Sequence, residues 1–213
     1  MKRTLSLIAV VALIITSCKK SGTNPPANDE KQDSYQPVAT GSYWKYNQSN
    51  STNVGVTATM TITMTGETLT ANSLLYYKAT AIKGTHDYGN YFYHDNGDYL
   101  MMGALTGVIE KSRYLKDDLQ VGQTWEDSGV TYGYPIKIVG KIIEKGINRT
   151  VSGKQYTNVI HSQLNITQSV SGGPYVDFQT SDFYIAKGIG LIEIRNMSTR
   201  GSDYSELTEY SIK

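Results

Sequence analysis

Residues 54–64 read Val-Gly-Val-Thr-Ala-Thr-Met-Thr-Ile-Thr-Met, and this stretch decides the fold class. Its apolar side chains stand at even positions, and its threonines stand at odd positions. Successive side chains of a β-strand point to opposite faces, so a strand would place the two sets on opposite sides. A helix would scatter the apolar residues around its circumference. We therefore predict a strand in which Met60 and Ile62 are buried and Thr59 and Thr61 face solvent.

The rest of the chain, from residue 41 onward, alternates strand-like runs with turn signals. Asn96-Gly97 is a pair favoured in type I′ hairpins, because both central residues of that turn need positive φ. Ser152-Gly153 and Ser171-Gly172 mark two further reversals. We predict an all-β fold, a strongly curved antiparallel sheet of about ten strands with little helix outside the N-terminal apolar run. Half-barrel, barrel and sandwich remain open.

Composition supports a folded β protein and excludes some partners. Of 213 residues, 17 are Tyr, against 3 Phe and 2 Trp, and tyrosine is enriched in half-buried strands. Apolar residues make up 39% and charged residues 18%, which excludes a disordered chain. Lys and Arg total 20 against 19 Asp and Glu, so we expect no nucleic-acid partner.

The N-terminus has the features of an export signal. A Lys-Arg pair precedes an apolar run over residues 5–15, which has the length of a signal-peptide core and is too short to span a bilayer. The run ends in Ile15-Thr16-Ser17-Cys18, which resembles the bacterial lipobox, in which signal peptidase cleaves before a cysteine that carries a diacylglycerol. The resemblance implies a lipoprotein signal peptide over residues 1–17 and lipidation of Cys18.

The segment after Cys18 is polar, contains prolines and has no apolar period. We predict a flexible tether over residues 18–34 and a single β domain over residues 35–213. Cys18 is the only cysteine, and the lipobox resemblance implies its acylation. We therefore expect the mature chain to have no disulfide, no cysteine zinc site and no thiol nucleophile.

The residues after the lipidated cysteine indicate a location. Lys19 stands where enterobacterial lipoproteins that stay in the inner membrane carry aspartate, and residues 19–22 lack the acidic residues of surface-export signals in Bacteroidota. By analogy we expect a protein of the cell envelope that is bound through Cys18 to the outer membrane and faces the periplasm.

Histidine and aspartate come together twice near one predicted hairpin, as His86-Asp87 and His94-Asp95. Two imidazoles and a carboxylate are suitable metal ligands, but the spacing matches no known ligand motif. Asp95 to Asp98 is also too short for a calcium loop. We therefore expect no metal site.

Signals of catalysis are also absent from the sequence. No serine stands in a Gly-x-Ser-x-Gly elbow between a strand and a helix. The adjacent carboxylates Asp117 and Asp118 lie in a polar loop, where we expect them to be solvated. We predict no catalytic residue and no cofactor, and hence a protein that is not an enzyme.

Two tryptophans and a glycine pair mark the predicted core. Trp44 and Tyr46 share one face of an early strand and are expected to plug one end of the sheet, and Trp125 is expected to be buried. Gly188 and Gly190 flank one residue between two strands, which predicts a tight turn or bulge and not a dinucleotide site.

Several short blocks resemble those of the uncharacterised envelope lipoproteins of Bacteroidota. The blocks are Tyr35-Gln36-Pro37, Gly41-Ser42-Tyr43-Trp44-Lys45-Tyr46, Val121-Gly122-Gln123-Thr124-Trp125, Tyr156-Thr157-Asn158-Val159-Ile160 and Tyr184-Ile185-Ala186-Lys187-Gly188-Ile189-Gly190-Leu191-Ile192. These proteins are similar in pattern to domains with a half-barrel sheet like that of the lipoprotein carrier LolA. The resemblance implies a curved antiparallel sheet and supplies no catalytic residue.

The functional expectation combines the anchor with the fold. We expect a non-catalytic lipoprotein whose curved sheet binds an apolar or amphiphilic ligand, at residues that the sequence does not identify. A glycan-binding accessory that uses exposed aromatic rings and a structural scaffold of the envelope remain open alternatives. The oligomeric state also remains open.

Overall fold

The computed structural model describes residues 33–51, 57–103 and 111–213. The predicted signal peptide, Cys18 and most of the predicted tether lie outside these residues, as do Val54 and Val56 of the alternating stretch. Within the described ranges almost every segment is a strand or a turn, which confirms the all-β class. None of the helical structure in these ranges has the length and hydrophobicity needed to cross a bilayer.

The described residues form thirteen strands, somewhat more than the ten or so expected. They are β1 (Tyr43–Asn50), β2 (Thr57–Ala71), β3 (Leu74–Lys83), β4 (His86–Asp87), β5 (Asn90–Asp95), β6 (Asp98–Gly103), β7 (Lys111–Lys116), β8 (Thr124–Thr131), β9 (Tyr134–Val151), β10 (Lys154–Ser169), β11 (Tyr175–Ala186), β12 (Gly190–Ser198) and β13 (Gly201–Ser211).

All thirteen strands belong to one antiparallel sheet. The strand order is β7-β6-β5-β3-β2-β1-β13-β12-β11-β10-β9-β8, and β4 pairs with the edge of β3. Strands that follow each other in sequence are neighbours in space almost throughout. The exceptions are β4 and β5, since β5 pairs with β3, and β7 and β8, which are the two edges of the sheet. The pairing of β1 with β13, where Trp44 lies opposite Tyr210, joins the N-terminal and C-terminal halves into one sheet.

The alternation in β2 gives the predicted faces. Met60, Ile62 and Met64 are each no more than 2% exposed, whereas Thr59 is exposed and Thr61 is half-buried. The three apolar side chains point into the sheet's concave side and join the hydrophobic core. The strand prediction and its face assignment are confirmed for the described part of the stretch.

The sheet curls until its two edges nearly meet, which makes it a nearly closed barrel. Arg113 of β7 and Asp127 of β8 form an ion pair, with 3.1 Å between Nη1 and Oδ2. The hydroxyl of Ser162 on β10 donates a hydrogen bond to the carbonyl oxygen of Tyr114 on β7. Side-chain contacts therefore bridge the gap at which the backbone ladder stops.

The hairpin turns lie at two opposite ends of this barrel. The end that receives the chain from residue 33 also holds the turns at 96–97, 152–153 and 187–189, and we call it the tether end. The opposite end, which we call the far end, holds the turns at 132–133, 171–173 and 199–200. The turns at Asn96-Gly97, Ser152-Gly153 and Ser171-Gly172 all have positive φ at both residues, as their sequences predict.

Side chains fill the concave side of the sheet. Trp44, Tyr46 and Trp125 are at most 7% exposed and belong to one hydrophobic core with the inward-facing residues of the strands. The Trp44 indole N–H donates to the carbonyl oxygen of Ile189 at 2.6 Å, and the Tyr46 hydroxyl donates to that of Leu191 at 2.9 Å. The predicted core role of these rings is confirmed. Trp44 lies near the tether end, an end that the sequence did not identify.

Candidate functional site

Residues 33–42 form a plug across the tether end of the barrel. The Gly188 amide donates to the carbonyl oxygen of Ser34 at 2.8 Å, and the Gly41 amide donates to that of Met64 at 2.9 Å. Gln36 is 2% exposed, and its side-chain oxygen accepts a hydrogen bond from the Tyr114 hydroxyl at 3.1 Å. Because the buried Gln36 side chain has its hydrogen-bond partner, it fixes the position of this segment.

A groove of about 360 Å³ lies between this plug and strands β2, β3 and β5. Its apolar wall consists of Pro37, Val38, Ala39 and the ring of Tyr77. Its remaining lining is polar or small and consists of Ser34, Gln36, Thr40, Gly66, Thr68 and His94. The groove therefore presents an apolar strip with hydrogen-bonding groups beside it.

An irregularity in β2 shapes one side of the groove. The register between β2 and β3 shifts between Met64 and Thr68, so the residues between them bulge out of the ladder. Gly66 in this bulge has φ of +83°, and a Cβ there would stand 2.5 Å from the Thr40 hydroxyl oxygen. Glycine is required at this position both by its backbone conformation and by the close approach of the plug.

Stacked rings form another side of the groove. The His94 ring stacks on Tyr77 at 5.7 Å between centroids and on Tyr99 at 6.0 Å. The Tyr99 hydroxyl donates to a carboxylate oxygen of Asp117 at 3.0 Å. Burial, and next the nearby Asp117 charge, raise the pKa of Tyr99, so its hydroxyl stays protonated and acts as a donor. His94 is thus held within an aromatic stack, between two rings.

The two histidines considered as metal ligands are far apart. His86 pairs with Lys83 at the far end of β3, whereas the pairing of Phe92 with Tyr77 carries His94 alongside position 75. Eight strand residues, or about 26 Å at ~3.3 Å per residue, separate the two positions. No group of three metal-ligating side chains occurs among the residues that the structure describes.

The paired aspartates of the loop after β7 have separate roles. Asp117 accepts the Tyr99 hydroxyl, and the Lys145 ammonium donates to the Asp117 carbonyl oxygen at 2.8 Å. Asp118 has a side chain that is 53% exposed and lies 3.9 Å from the Lys116 ammonium. The expectation of a solvated carboxylate therefore holds for Asp118, while Asp117 is a structural acceptor.

A charged cluster that the sequence did not reveal lies on strands β9 to β12. Glu193 is 2% exposed and forms ion pairs with Arg149 and Arg195. The Arg149 guanidinium also lies 3.9 Å from the ring centroid of Tyr184. Alternating polar residues in these strands indicate a solvent-facing side, and nothing local in the sequence shows that neighbouring strands bury them.

His161 occupies the same cluster and is enclosed by other side chains. Its Nε2 is 2.8 Å from Asp182, its Nδ1 is 3.4 Å from Glu144, and its ring stacks on Tyr184 at 4.3 Å. Burial would raise the pKa of Asp182, but hydrogen bonds from His161 and Gln163 outweigh it and lower that pKa below its ordinary value of 3.8. Both ring nitrogens face carboxylates, so neither is placed to take a proton from a hydroxyl nucleophile.

Comparison with known proteins finds similarity at the level of the fold. No family model matches the chain, and no curated protein matches it. A crystal structure of a predicted lipoprotein from Parabacteroides distasonis is similar with a TM-score of 0.55 and 11% identity, over 84% of this chain and 99% of that one. A predicted exported protein with a YmcC-like fold from Bacteroides fragilis has a TM-score of 0.52 and 10% identity, over the same shares.

Identities this low establish a shared fold and nothing finer. Both structures come from Bacteroidetes, as the resemblance read from the sequence blocks implies, whereas the likeness to LolA stays a prediction. The chain has the fold of proteins described as a lipoprotein and an exported protein of Bacteroidetes.

Proposed function

We propose that this chain is a non-catalytic lipoprotein of the cell envelope that binds an amphiphilic ligand in the groove at its tether end. The lipobox-like Ile15-Thr16-Ser17-Cys18 supports the anchor, and the fold shared with a predicted lipoprotein and a predicted exported protein agrees with it. Lys19, which follows Cys18, supports the periplasmic face of the outer membrane by the analogy drawn above.

The residues that line the groove are the observation that supports an amphiphilic ligand. Pro37, Val38 and Ala39 offer an apolar strip, while Thr40 and Thr68 offer hydroxyls beside it. The volume of about 360 Å³ is within the range of roughly 300–1,000 Å³ that small-molecule sites occupy. A molecule with an apolar chain and a polar head satisfies both parts of this surface.

The position of the groove suits a ligand that comes from a membrane. Ser34 is one of its lining residues, and residues 18–33 connect Ser34 to the predicted lipid on Cys18. Sixteen extended residues reach about 55 Å at most, and a coiled tether brings the groove much closer to the bilayer. The concave interior of the sheet, which the sequence analysis favours as the ligand site, is occupied by core side chains such as Trp44 and Tyr46.

The proposal also holds that the protein catalyses no reaction. His161 has carboxylates at both ring nitrogens. A ligand titration distinguishes this proposal from the alternative, in which the protein is a scaffold that binds no ligand.

The test uses the mature sequence without its acylated cysteine, residues 19–213, titrated with an environment-sensitive fluorescent fatty acid. We expect saturable binding at micromolar concentrations that unlabelled lipid displaces. Thr68→Trp fills the groove from an exposed position and should weaken binding at least tenfold. Thr70→Trp changes an exposed threonine two residues further along β2 that does not line the groove, so it should bind as the parent does.

Two outcomes would count against the proposal. Absence of binding by the parent chain would leave the scaffold as the better description. Equal binding by Thr68→Trp and Thr70→Trp would place any bound fatty acid outside the groove.

A further inference from the structure

A second concavity, of about 240 Å³, lies at the far end of the barrel. Strand β1 contributes Asn50, the β8–β9 turn contributes Tyr132, and β11 contributes Phe178 and Gln179. The β12–β13 hairpin contributes Arg200 and Asp203, and Asp203 pairs directly with Asn50 of β1. The groove thus joins parts of the chain that are far apart in sequence, at the end away from the tether.

Tyr132 has a backbone conformation that a bulky residue rarely adopts. Its φ is +51°, and Gly133 after it has φ of +79°, which makes a turn with positive φ at both residues. The other non-glycine residues with positive φ in the described ranges are all Asn or Ser. Those residues tolerate the left-handed region, whereas an aromatic residue there is strained. Strain of this kind points to a role for the ring and not for the turn.

The Tyr132 ring is both presented and held in place. It is 58% exposed, and the Arg200 guanidinium lies 5.4 Å from its centroid. This contact links the β8–β9 turn to the β12–β13 hairpin across the groove. A ring fixed at the rim of a concavity, with most of its surface in water, is a stacking platform.

Hydrogen bonds fix the groove walls without a ligand. The Ser202 amide donates to the Ser51 hydroxyl at 2.8 Å, which ties the end of β1 to the β12–β13 hairpin. The Ser198 hydroxyl donates to the Gly201 carbonyl oxygen at 3.1 Å. Gln179 is only 9% exposed, and its amide nitrogen donates to the Ser181 hydroxyl at 2.7 Å, which orients the carboxamide. The polar lining is therefore preorganised.

The lining also selects a class of ligand. Arg200 and Asp203 balance in charge, so the groove favours neither anions nor cations. Amides and hydroxyls exceed apolar groups, which disfavours a lipid chain. One carboxylate is too few for a metal site. A neutral ligand with many hydroxyls and an apolar ring face fits both the aromatic platform and the planar polar groups.

We propose that this far-end groove binds one sugar unit of an oligosaccharide, with Tyr132 stacked on a face of the sugar ring. Gln179 and Asn50 hydrogen-bond to its hydroxyls, and the open side of the groove lets the rest of the glycan extend into solvent. The volume is below the roughly 300 Å³ at which drug-sized sites begin, which agrees with a single unit. This site is independent of the amphiphile groove at the tether end.

The test uses the full lipid-anchored chain reconstituted in nanodiscs and titrated calorimetrically with maltohexaose, xylohexaose and N-acetylglucosamine hexamer. We expect at least one of these probes to bind saturably with a Kd of about 1 mM or tighter. Tyr132→Asn should weaken that binding at least tenfold and leave the melting temperature unchanged or higher, because asparagine suits the left-handed turn. Tyr88→Asn is the matched control, since Tyr88 is also 58% exposed and does not line the groove.

The same experiment can overturn the proposal. If none of the three probes binds the parent chain, the groove is not a glycan site of this kind. If Tyr132→Asn binds as the parent does, or if it lowers the melting temperature without affecting the affinity, Tyr132 has a structural role. Either result leaves the fatty-acid titration of the other groove unaffected, so the two proposals fail separately.

Discussion

Arg113 on β7 and Asp127 on β8 join the two free edges of the sheet through an ion pair of 3.1 Å. The side chains are only 24% and 22% exposed, so water screens the pair less than it screens an ordinary surface pair. Arg113 also lies 3.3 Å from Asp98 on the neighbouring strand β6. One arginine thus bridges three strands where the backbone ladder is interrupted.

The first prediction concerns this seam. Asp127→Ala should reduce the free energy of unfolding by about 1 kcal/mol, because Arg113 loses a partly buried partner. For a chain of this size that corresponds to a fall of about 2–4 °C in Tm. Glu67→Ala is the control, because Glu67 pairs with Lys78 at 65% exposure and its loss should cost little. Equal melting curves for the two variants would show that the seam pair does not stabilise the barrel.

The second prediction concerns the faces of β2. Ile62 is fully buried, so Ile62→Asp places an unpaired charge in the core and should cost at least about 3 kcal/mol. Thr61→Asp makes the same side chain on the opposite face, where Lys45 lies directly across from it. That variant should change stability by less than about 1 kcal/mol. Chemical denaturation of both variants checks the difference, and similar midpoints would contradict the face assignment.

The strands could be predicted where one face is apolar and the other polar. β2 shows this pattern from Thr57 to Met64, and the Asn96-Gly97 turn has a local signal that no tertiary contact overrides. β8 has no such pattern, since Trp125 is its one large inward residue and Gly129 interrupts it. β8 is a strand because it pairs with β9, and the residues of β8 alone do not indicate that pairing.

The candidate sites were harder to predict than the fold. The groove at the tether end depends on where residues 37–40 cross the bulge of β2, a contact between segments that no spacing rule links. The burial of Glu193 likewise depends on Arg149, which lies 44 positions away in sequence. Contacts between residues that are distant in sequence determine both the groove and the burial of Glu193. Composition and periodicity therefore do not predict either of them.

The third prediction concerns the packing of Trp125 on the neighbouring strand. Gly140 lies opposite Trp125, and a Cβ at Gly140 would overlap the indole ring. Gly140→Ala should therefore destabilise the fold by about 1–3 kcal/mol through overpacking. Gly129→Ala is the control, because a Cβ there would meet only Ile136, at an ordinary 3.8 Å. Thermal melts distinguish the two, and a neutral Gly140→Ala would mean that the indole relocates freely.

The fourth prediction concerns the anchor. Cys18→Ala removes the thiol that the lipobox-like sequence presents for acylation, so the protein should leave the membrane fraction or accumulate uncleaved. Fractionation with metabolic labelling by a fatty acid measures both effects. Membrane association without label in the variant would contradict the anchor. Separately, degradation of the parent protein by protease added to intact cells would contradict the periplasmic placement.

The last prediction concerns pH and the Asp182–His161 pair. Burial opposes ionisation of Asp182, but hydrogen bonds from His161 and Gln163 prevail, so the folded chain holds the pKa of Asp182 below its ordinary 3.8. A carboxyl whose pKa is depressed by folding stabilises the folded state above its unfolded pKa, and this contribution is lost as the pH falls through the folded pKa. Asp182→Asn should therefore destabilise the protein at pH 7.

The difference between parent and Asp182→Asn should shrink as the pH is lowered below about 4, because the parent's carboxyl then takes up a proton and loses its charge as well. Urea denaturation of both proteins between pH 7 and pH 2.5 measures this convergence. Asp203→Asn serves as the control, since Asp203 is exposed and lies outside this cluster. A constant gap between the parent and Asp182→Asn across the whole range would mean that the geometry of the side chain, and not its charge, stabilises the cluster.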